Sequence, residues 1–269
     1  MKYNKLSFII PCYNAERTIT ESLNSIYNQE IEIPFEVICT DDGSIDNTRQ
    51  ILEHYKLYHP NMKIYYHPRN MGEAFSANTC VLNSSGDIIF RLDSDNILED
   101  SSIQPLIDLL ENSGEECASF SYFKNFYTEL IEKGRWVYKH NNFICTLQDI
   151  ITSTSVPPSS GNYLFTRNSY NKAGGYPPGY GMASWGFGFR QAANGFNIAI
   201  LPDSFYWHRL SQSSEWHRGE ERNTNNLDGL SFVKEYDYLF TDKSKEWLHS
   251  ESAEKYFFTG LANGLLVLT

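Results

Sequence analysis

Three apolar segments in the first hundred residues each run directly into a cluster of polar residues. This alternation constrains the fold more than any other feature of the chain. Residues 6–11 end at Pro11 and pass into Cys12-Tyr13-Asn14; residues 35–40 pass into Asp41-Asp42-Gly43-Ser44; residues 86–92 pass into Asp93-Ser94-Asp95. Each run has the length of a strand. Between them lie segments of helical spacing: 15–27, with Ile19, Leu23, Ile26 and Tyr27 recurring; 46–58, with Asp46 as its expected N-cap; and 72–82, after a further strand at 63–67. Repeated strand–helix units predict an α/β fold with a doubly wound, mainly parallel sheet and flanking helices. The mostly apolar 86–92 run is expected at the sheet centre. Such sheets bind ligands beyond the carboxyl ends of their strands, which is where the three polar clusters would meet.

The second half is less regular. Strands are expected at 117–127, 135–138, 162–166 and 197–201, helices at 169–175 and 183–194, and irregular loops at 157–161 and 176–181. From about Asn223 the chain turns polar and then helical, with Phe232, Tyr236, Tyr238 and Trp247. This divides the chain into an α/β domain over 1–222 and a short helical C-terminal extension over 223–269. The extension is expected to dock on the domain, meet a partner or membrane surface, or be the stump of a longer chain. A chain of 269 residues, 41% of them hydrophobic, suffices for one sizeable core and a small appendage.

A net charge of -11 argues against non-specific nucleic-acid binding, which needs Lys and Arg. It fits a protein that recruits a metal cation to meet a phosphorylated substrate, although a charged soluble surface accounts for the total equally well. The five cysteines are widely spaced and form no CxxC pair, so buried thiols in a reducing compartment are expected rather than disulfides or a zinc site. No run reaches the ~20 apolar residues that span a bilayer, and the short polar start shows no signal peptide. The expected location is cytoplasmic, extending to the inner face of the membrane as a peripheral protein.

Asp93-Ser94-Asp95 carries the clearest chemistry. Two carboxylates one residue apart on an extended segment point to the same side and suit Mn2+ or Mg2+, with a diphosphate completing the shell. Solvated turns account for most such triplets; the position at the end of a central strand is what gives this one weight. Asp41 and Asp42 repel each other unless a ligand or a donor compensates, and a carboxylate there can accept a hydrogen bond from a base N–H or a ribose hydroxyl. Tyr13 can stack on a base or pack in the core. Asn70 and Gly72 sit between a strand and a helix, where glycine lets the backbone approach a ligand and the helix start favours an anion, a plain turn being the equal alternative.

Ser7 to Asn14, Asp41 to Asp46, Asn70-Met71-Gly72 and Asp93-Ser94-Asp95, in this order and spacing, resemble the family 2 glycosyltransferases from residue 5 to about 220. The resemblance implies the GT-A fold and inverting transfer from a nucleotide diphosphate sugar, usually a UDP-sugar, to a glycan or lipid-linked acceptor, with bacterial surface polysaccharide as an expected product. It implies that Pro11, Tyr13, Asp41, Asn70 and Gly72 line the donor site, that Asp93 contacts ribose or metal, and that Asp95 ligates the metal. Gly174-Gly175-Tyr176 resembles the glycine pair before the family's catalytic loop. Tyr206-Trp207-His208-Arg209, followed by Ser213-Ser214-Glu215-Trp216, resembles a late element in which His208 would ligate the metal while Arg209 and Ser213 hold the diphosphate. His217 and Arg218 are weaker candidates. Trp185 and Tyr180, with Tyr176 and Phe187, are expected as a sugar platform, with packing as the alternative.

An inverting transferase needs a general base beside the acceptor hydroxyl. In the family that carboxylate opens the helix after the glycine pair, yet no Asp or Glu occurs between Gly174 and Asp203. The gap falls at Ala183, with Ser184 as the other register. Three readings follow: a native aspartate replaced at 183, a natural enzyme whose base lies elsewhere, or a binding relative without catalysis. Among other classes, a nucleotidyltransferase or a dinucleotide oxidoreductase would need a glycine-rich loop after the first strand, and Tyr13-Asn14-Ala15-Glu16 provides none. The remaining rival is a non-catalytic sugar-nucleotide or glycan-binding module.

Overall fold

The computed structural model describes residues 2–138, 140–152, 157–179, 182–210 and 224–269. The expected strand–helix alternation is present. Strand β1 (Leu6–Cys12) pairs in parallel with β2 (Phe35–Asp41) and β4 (Ile88–Arg91), and β2 pairs in parallel with β3 (Met62–Tyr66). Beyond β4 the sheet becomes mixed. Strand β9 (Leu164–Thr166) runs antiparallel to both β4 and β6 (Cys117–Phe126), and β10 (Ile198–Arg209) runs parallel to β6. The short β5 (Ile97–Leu98) ends the order β3-β2-β1-β4-β9-β6-β10-β5, while β7 (Gly134–Val137) pairs with β6 and β8 (Ile144–Cys145) with β10.

Successive side chains of a strand point to opposite faces, and here both faces are buried. Phe8, Ile10 and Val37 pack with Leu23 and Ile26 of α1 (Ile19–Tyr27), Leu52 of α2 (Thr48–Tyr58) and Leu106 and Leu110 of α4 (Ile103–Ser113). Ile9, Ile38 and Ile89 face the other layer, with Ala77 and Val81 of α3 (Glu73–Leu82), Tyr170 of α6 (Arg167–Ala173) and Phe187 and Phe189 of α7 (Ala183–Ala193). That layer also holds Ile150 and Ile151 of α5 (Leu147–Thr152). All five cysteines are buried and free. No helix among the described residues is long and apolar enough to cross a membrane.

Several boundaries differ from expectation. Helix α1 starts at Ile19 rather than near 15, because Asn14 has φ 51° and residues 15–18 close a turn from Thr18 N to Ala15 O at 3.0 Å. Helix α2 starts at Thr48, so Asp46 is not its N-cap residue. The Asp46 carboxylate instead accepts from Thr48 N at 3.0 Å, Thr48 Oγ1 at 2.5 Å and Glu16 N at 3.1 Å, tying two loops together. The strand expected at 197–201 continues to Arg209 past a register shift between Leu201 and Phe205, where Asp203 has φ 53°. His208 and Arg209 are therefore strand residues beside the sheet's carboxyl ends.

The C-terminal segment carries α8 (Thr224–Lys234), a short 3-10 turn (Asp237–Leu239), α9 (Asp242–Leu248) and α10 (Glu251–Ala262). Of the destinations left open by the sequence, docking on the α/β sheet layer is the one observed. Leu230, Phe232, Val233, Phe257 and Leu261 share a single buried cluster with Trp185 and Phe189 of α7. Burying one such phenylalanine contributes about 1.5–3 kcal/mol.

Glu36 on β2 fastens the edge of the parallel half. Its buried carboxylate accepts from Ser85 N at 2.6 Å, Ser85 Oγ at 2.9 Å, Ser7 Oγ at 2.9 Å and Lys63 Nζ at 2.9 Å. Burial alone would push its pKa up; the bonds from Ser85, Lys63 and Ser7 outweigh this and hold it down at about 2. A depressed pKa contributes stability above the unfolded-state value that is lost as pH falls through the folded one. Glu36→Gln is expected to cost on the order of 1–3 kcal/mol at pH 7, with the difference vanishing near pH 2, as measured by urea unfolding across pH.

Candidate active site

The carboxyl ends of β1, β2 and β4 deliver the polar clusters to one rim. On the β2 side each of the adjacent acids has its own donors. Asp41 is fully buried and accepts from Ser44 N at 3.2 Å and from Arg49 Nη2 at 3.3 Å, and Arg49 lies over the Tyr66 ring at 4.4 Å. Asp42 accepts from His67 Nδ1 at 2.6 Å, Met71 N at 2.9 Å and Gly72 N at 2.8 Å. Donors from the protein itself thus compensate the repulsion, and Asp42 organises the loop that carries Asn70. Gly43 is pressed against that loop. With φ 72° and a would-be Cβ only 2.5 Å from the Arg69 carbonyl carbon, the position admits no side chain.

The loop after β1 joins the same assembly through Asn14 N to Ser44 Oγ at 2.9 Å and Ile45 N to Asn14 Oδ1 at 3.0 Å. Pro11 is half-buried there. Tyr13 is 42% exposed, so its ring is free to meet a ligand rather than filling the core. Asn70 is exposed, and Gly72, with φ 99°, immediately precedes α3.

Asp93 and Asp95 follow β4. Asp93 accepts from Arg91 Nη2 at 2.7 Å and Arg91 Nε at 3.0 Å on one oxygen and from Asn96 Nδ2 at 3.3 Å on the other, while its N–H donates to Asn162 Oδ1 at 2.7 Å. The Asp95 carboxylate accepts no hydrogen bond from another described residue. Burial, and then the neighbouring Asp93, push its pKa up to about 7. His208 packs on Phe123 at 4.8 Å; burial pulls its pKa down while Asp93 works in the opposite direction. Two part-buried carboxylates, one of which accepts no hydrogen bond from another described residue, suit a divalent cation, and His208 lies within electrostatic reach of Asp93. Among the described residues no group of three or more such ligands is preassembled, so the remaining positions of a shell would fall to substrate oxygens and water, as with Mg2+ held by one or two carboxylates.

Arg209 is placed otherwise than the sequence suggested. Its Nε donates to Asp95 O at 3.0 Å, its Nη1 to Tyr127 O at 2.9 Å, and its Nη2 pairs with Glu21. The guanidinium braces the backbone of the turn after β4, and each of its three nitrogens already donates to a protein acceptor. Trp185 is also displaced from its expected role: its buried ring is enclosed by Phe189, Phe232, Phe257 and Phe258 and offers no face to a sugar. Tyr176 and Phe187 are fully buried against each other at 4.3 Å. Tyr180, Ser213, His217 and Arg218 lie outside the described residues. Ala183 is 2% exposed and packs in the apolar cluster, whereas Ser184 reaches out and donates to Glu73 Oε1 at 2.8 Å.

The sequence reading passed over Arg91, Glu73 and Asn162. Arg91 left a signal: it is the one basic residue in an otherwise apolar central run, and a buried charge requires partners. Those partners are Glu73, at 2.5 Å from Nη2, and Asp93. Burial opposes the charge on Arg91, and Asp93 and Glu73 more than offset this, so it stays protonated.

A family model described as "Glycosyl transferase family 2" matches residues 7–175, a span that includes every polar cluster just described except the β10 end. The chain belongs to glycosyl transferase family 2. Similar curated proteins include a dolichyl-phosphate beta-glucosyltransferase of Trichomonas vaginalis, 31% identical over 33% of this chain and 28% of that one. The uncharacterized glycosyltransferase YfnE of Bacillus subtilis is 32% identical over 48% of this chain and 33% of its own. A chondroitin synthase of Escherichia coli is 35% identical over 38% and 15%. The matched segment covers no more than a third of any of these three relatives. Among solved structures, S. aureus TarS residues 1–349 in complex with UDP-GlcNAc aligns with TM-score 0.70 and 20% identity, over 97% of this chain and 71% of that one. The mannosyltransferase PcManGT of Pyrobaculum calidifontis, in complex with GDP-Man and Mn2+, aligns with TM-score 0.67 and 17% identity, over 98% and 74%. These likenesses establish the GT-A fold.

The raised pKa of Asp95 sets a pH dependence. A group that holds its proton more tightly when folded loses its stability contribution as pH rises through the folded value, here about 7. Without metal, Asp95→Asn is expected to melt higher than the unsubstituted chain at pH 8, by a margin that shrinks as pH falls below about 7 and closes only beneath the unfolded carboxylate value of about 4. Added Mn2+ with UDP should raise the melting temperature of the unsubstituted chain at pH 8 and leave Asp95→Asn unmoved. Equal responses of the two chains would remove Asp95 from the metal site.

Proposed function

We propose that this family 2 glycosyltransferase is a metal-dependent inverting enzyme that moves a sugar from a nucleotide diphosphate sugar, in the first instance a UDP-sugar, to a hydroxyl of a glycan or lipid-linked acceptor. The observation that carries this reading is the Asp93–Asp95 pair just past the central strand, one carboxylate accepting no hydrogen bond from another described residue, at the same rim as the loops organised by Asp41 and Asp42. Support also comes from the chains of the same fold that were crystallised with UDP-GlcNAc or with GDP-Man and Mn2+.

In this mechanism Asp95, with Asp93 and His208, would hold Mn2+ or Mg2+. The bound ion supplies neutralisation of the departing diphosphate. Asp41 presents a fixed acceptor to the base N–H, its carboxylate oriented by Ser44 and Arg49. Tyr13 offers a ring to the base, and Asn70 and Gly72 offer polar backbone at the start of α3. Arg91 holds one oxygen of Asp93 and Asn96 the other, so the carboxylate is fixed in orientation. Hexosyl or N-acetylhexosaminyl transfer in the assembly of a surface polysaccharide, at the cytoplasmic face of a membrane, is the setting that fits this chemistry.

The test is a thermal-shift panel of UDP, GDP and CDP with and without Mn2+. UDP with Mn2+ is expected to give the largest rise, about 2.7 kcal/mol of stabilisation at a hundredfold excess over Kd. Asp41→Asn should weaken UDP binding about tenfold or more, as expected when a buried charged partner is lost. If none of the nucleotides raises the melting temperature in the presence of metal, the donor assignment is wrong.

A further inference from the structure

We propose that Glu73, in the first turn of α3, is the general base of the transfer and occupies the place that an acid of α7 would otherwise fill. This rests on the transferase reading above. The N-terminus of α7 carries no carboxylate: Ala183 is turned into the core and the outward side chain is Ser184. A carboxylate is nonetheless present at that spot, supplied from the facing helix. Ser184 Oγ donates to Glu73 Oε1 at 2.8 Å, across 111 residues of sequence.

The same oxygen is held a second time by Arg91 Nη2 at 2.5 Å, and that nitrogen also holds Asp93 Oδ1 at 2.7 Å. One guanidinium nitrogen therefore sets the Glu73 carboxylate beside the carboxylate of the metal pair. A glutamate in the first turn of a helix is commonplace, since it faces the positive end of the helix dipole. That explanation requires neither a serine from another helix nor a buried arginine, and both are present. Two donors hold Oε1. Oε2 accepts no hydrogen bond from a described residue, and the side chain is 38% exposed, so one basic oxygen stays open to an incoming hydroxyl.

In the proposed step the acceptor hydroxyl gives its proton to Glu73 Oε2 as its oxygen bonds to the anomeric carbon. The bond from that carbon to the diphosphate oxygen breaks, and its electron pair leaves with the nucleoside diphosphate. Arg91 and Ser184 are positioning residues, holding the carboxylate in line without touching the acceptor.

The full chain is tested with Mn2+ and a panel of UDP-glucose, UDP-galactose, UDP-GlcNAc and UDP-GalNAc, with water as acceptor, UDP release as the rate and calorimetric UDP–Mn2+ affinity as the second readout. Glu73→Gln is expected to lower kcat by about 10²–10⁴-fold while KM and UDP affinity stay within about twofold. Azide, a nucleophile that carries no proton to remove, should restore turnover to Glu73→Ala and yield the glycosyl azide. An unchanged kcat in Glu73→Gln overturns the proposal. So does a loss of UDP–Mn2+ affinity matching the loss of rate, which would make Glu73 a prop for Arg91, and so does an absence of azide rescue. An unsubstituted chain that fails to bind UDP with Mn2+ fails the transferase reading itself, and that is decided before any variant is assayed.

Discussion

A positive charge buried on a central strand has to be neutralised where it stands, and the arrangement around Arg91 follows from that requirement. Removing one partner from such a buried pair costs about 3–5 kcal/mol, because the other charge is left unpaired. Arg91 meets the need with Asp93 from its own strand end and Glu73 from α3, and it lies 5.4 Å beneath the ring of Tyr176 from the loop after the glycine pair. Three segments far apart in sequence are thereby brought to one point. A hydrophobic residue in its place would pack well enough in the strand, yet it would leave two acids facing each other with nothing to orient them.

The two halves of the site are built on different principles. On the β2 side the acids are satisfied in advance: Asp41 by Ser44 and Arg49, Asp42 by His67 and the backbone of the 71–72 turn. This half is preorganised, and a ligand would meet loops already locked against one another at Gly43. On the β4 side, Asp95 accepts no hydrogen bond from another described residue and bears the cost of burial and then of sitting beside Asp93. That half holds unfavourable energy that a cation would relieve, so binding of a charged ligand and local stability are coupled there.

The parallel half of the fold was legible in the sequence because each strand is a short apolar run ended by residues with no place in a core: Pro11 then Asn14, Asp41, Asp93. The family motifs marked the rim for the same reason. The mixed half was harder to read. Strand β10 continues through Pro202 and Asp203, a pair that ordinarily signals a turn, because a bulge absorbs them. Helix α4 went unread although Ile103, Leu106, Ile107 and Leu110 have helical spacing. At the site, single-residue types were visible but orientation was not. Nothing in the string of letters shows that Trp185 turns inward, that Arg209 binds two carbonyls and Glu21, or that Ser184 rather than Ala183 faces outward. These depend on which helix backs which, a matter of long-range packing.

The packing of Gly229 and Gly260 illustrates that dependence. A side chain on Gly229 of α8 would strike Phe257 of α10, and one on Gly260 of α10 would strike Trp247 of α9, so the three helices interlock through aromatic rings seated on glycines. Their aromatic face then seals the inner side of α7, whose outer side carries Ser184. A polypeptide ended at residue 222 would keep every motif of the family and still bare a greasy surface around Trp185 and Phe189. It would tend to clump, and α7 would lose its backing.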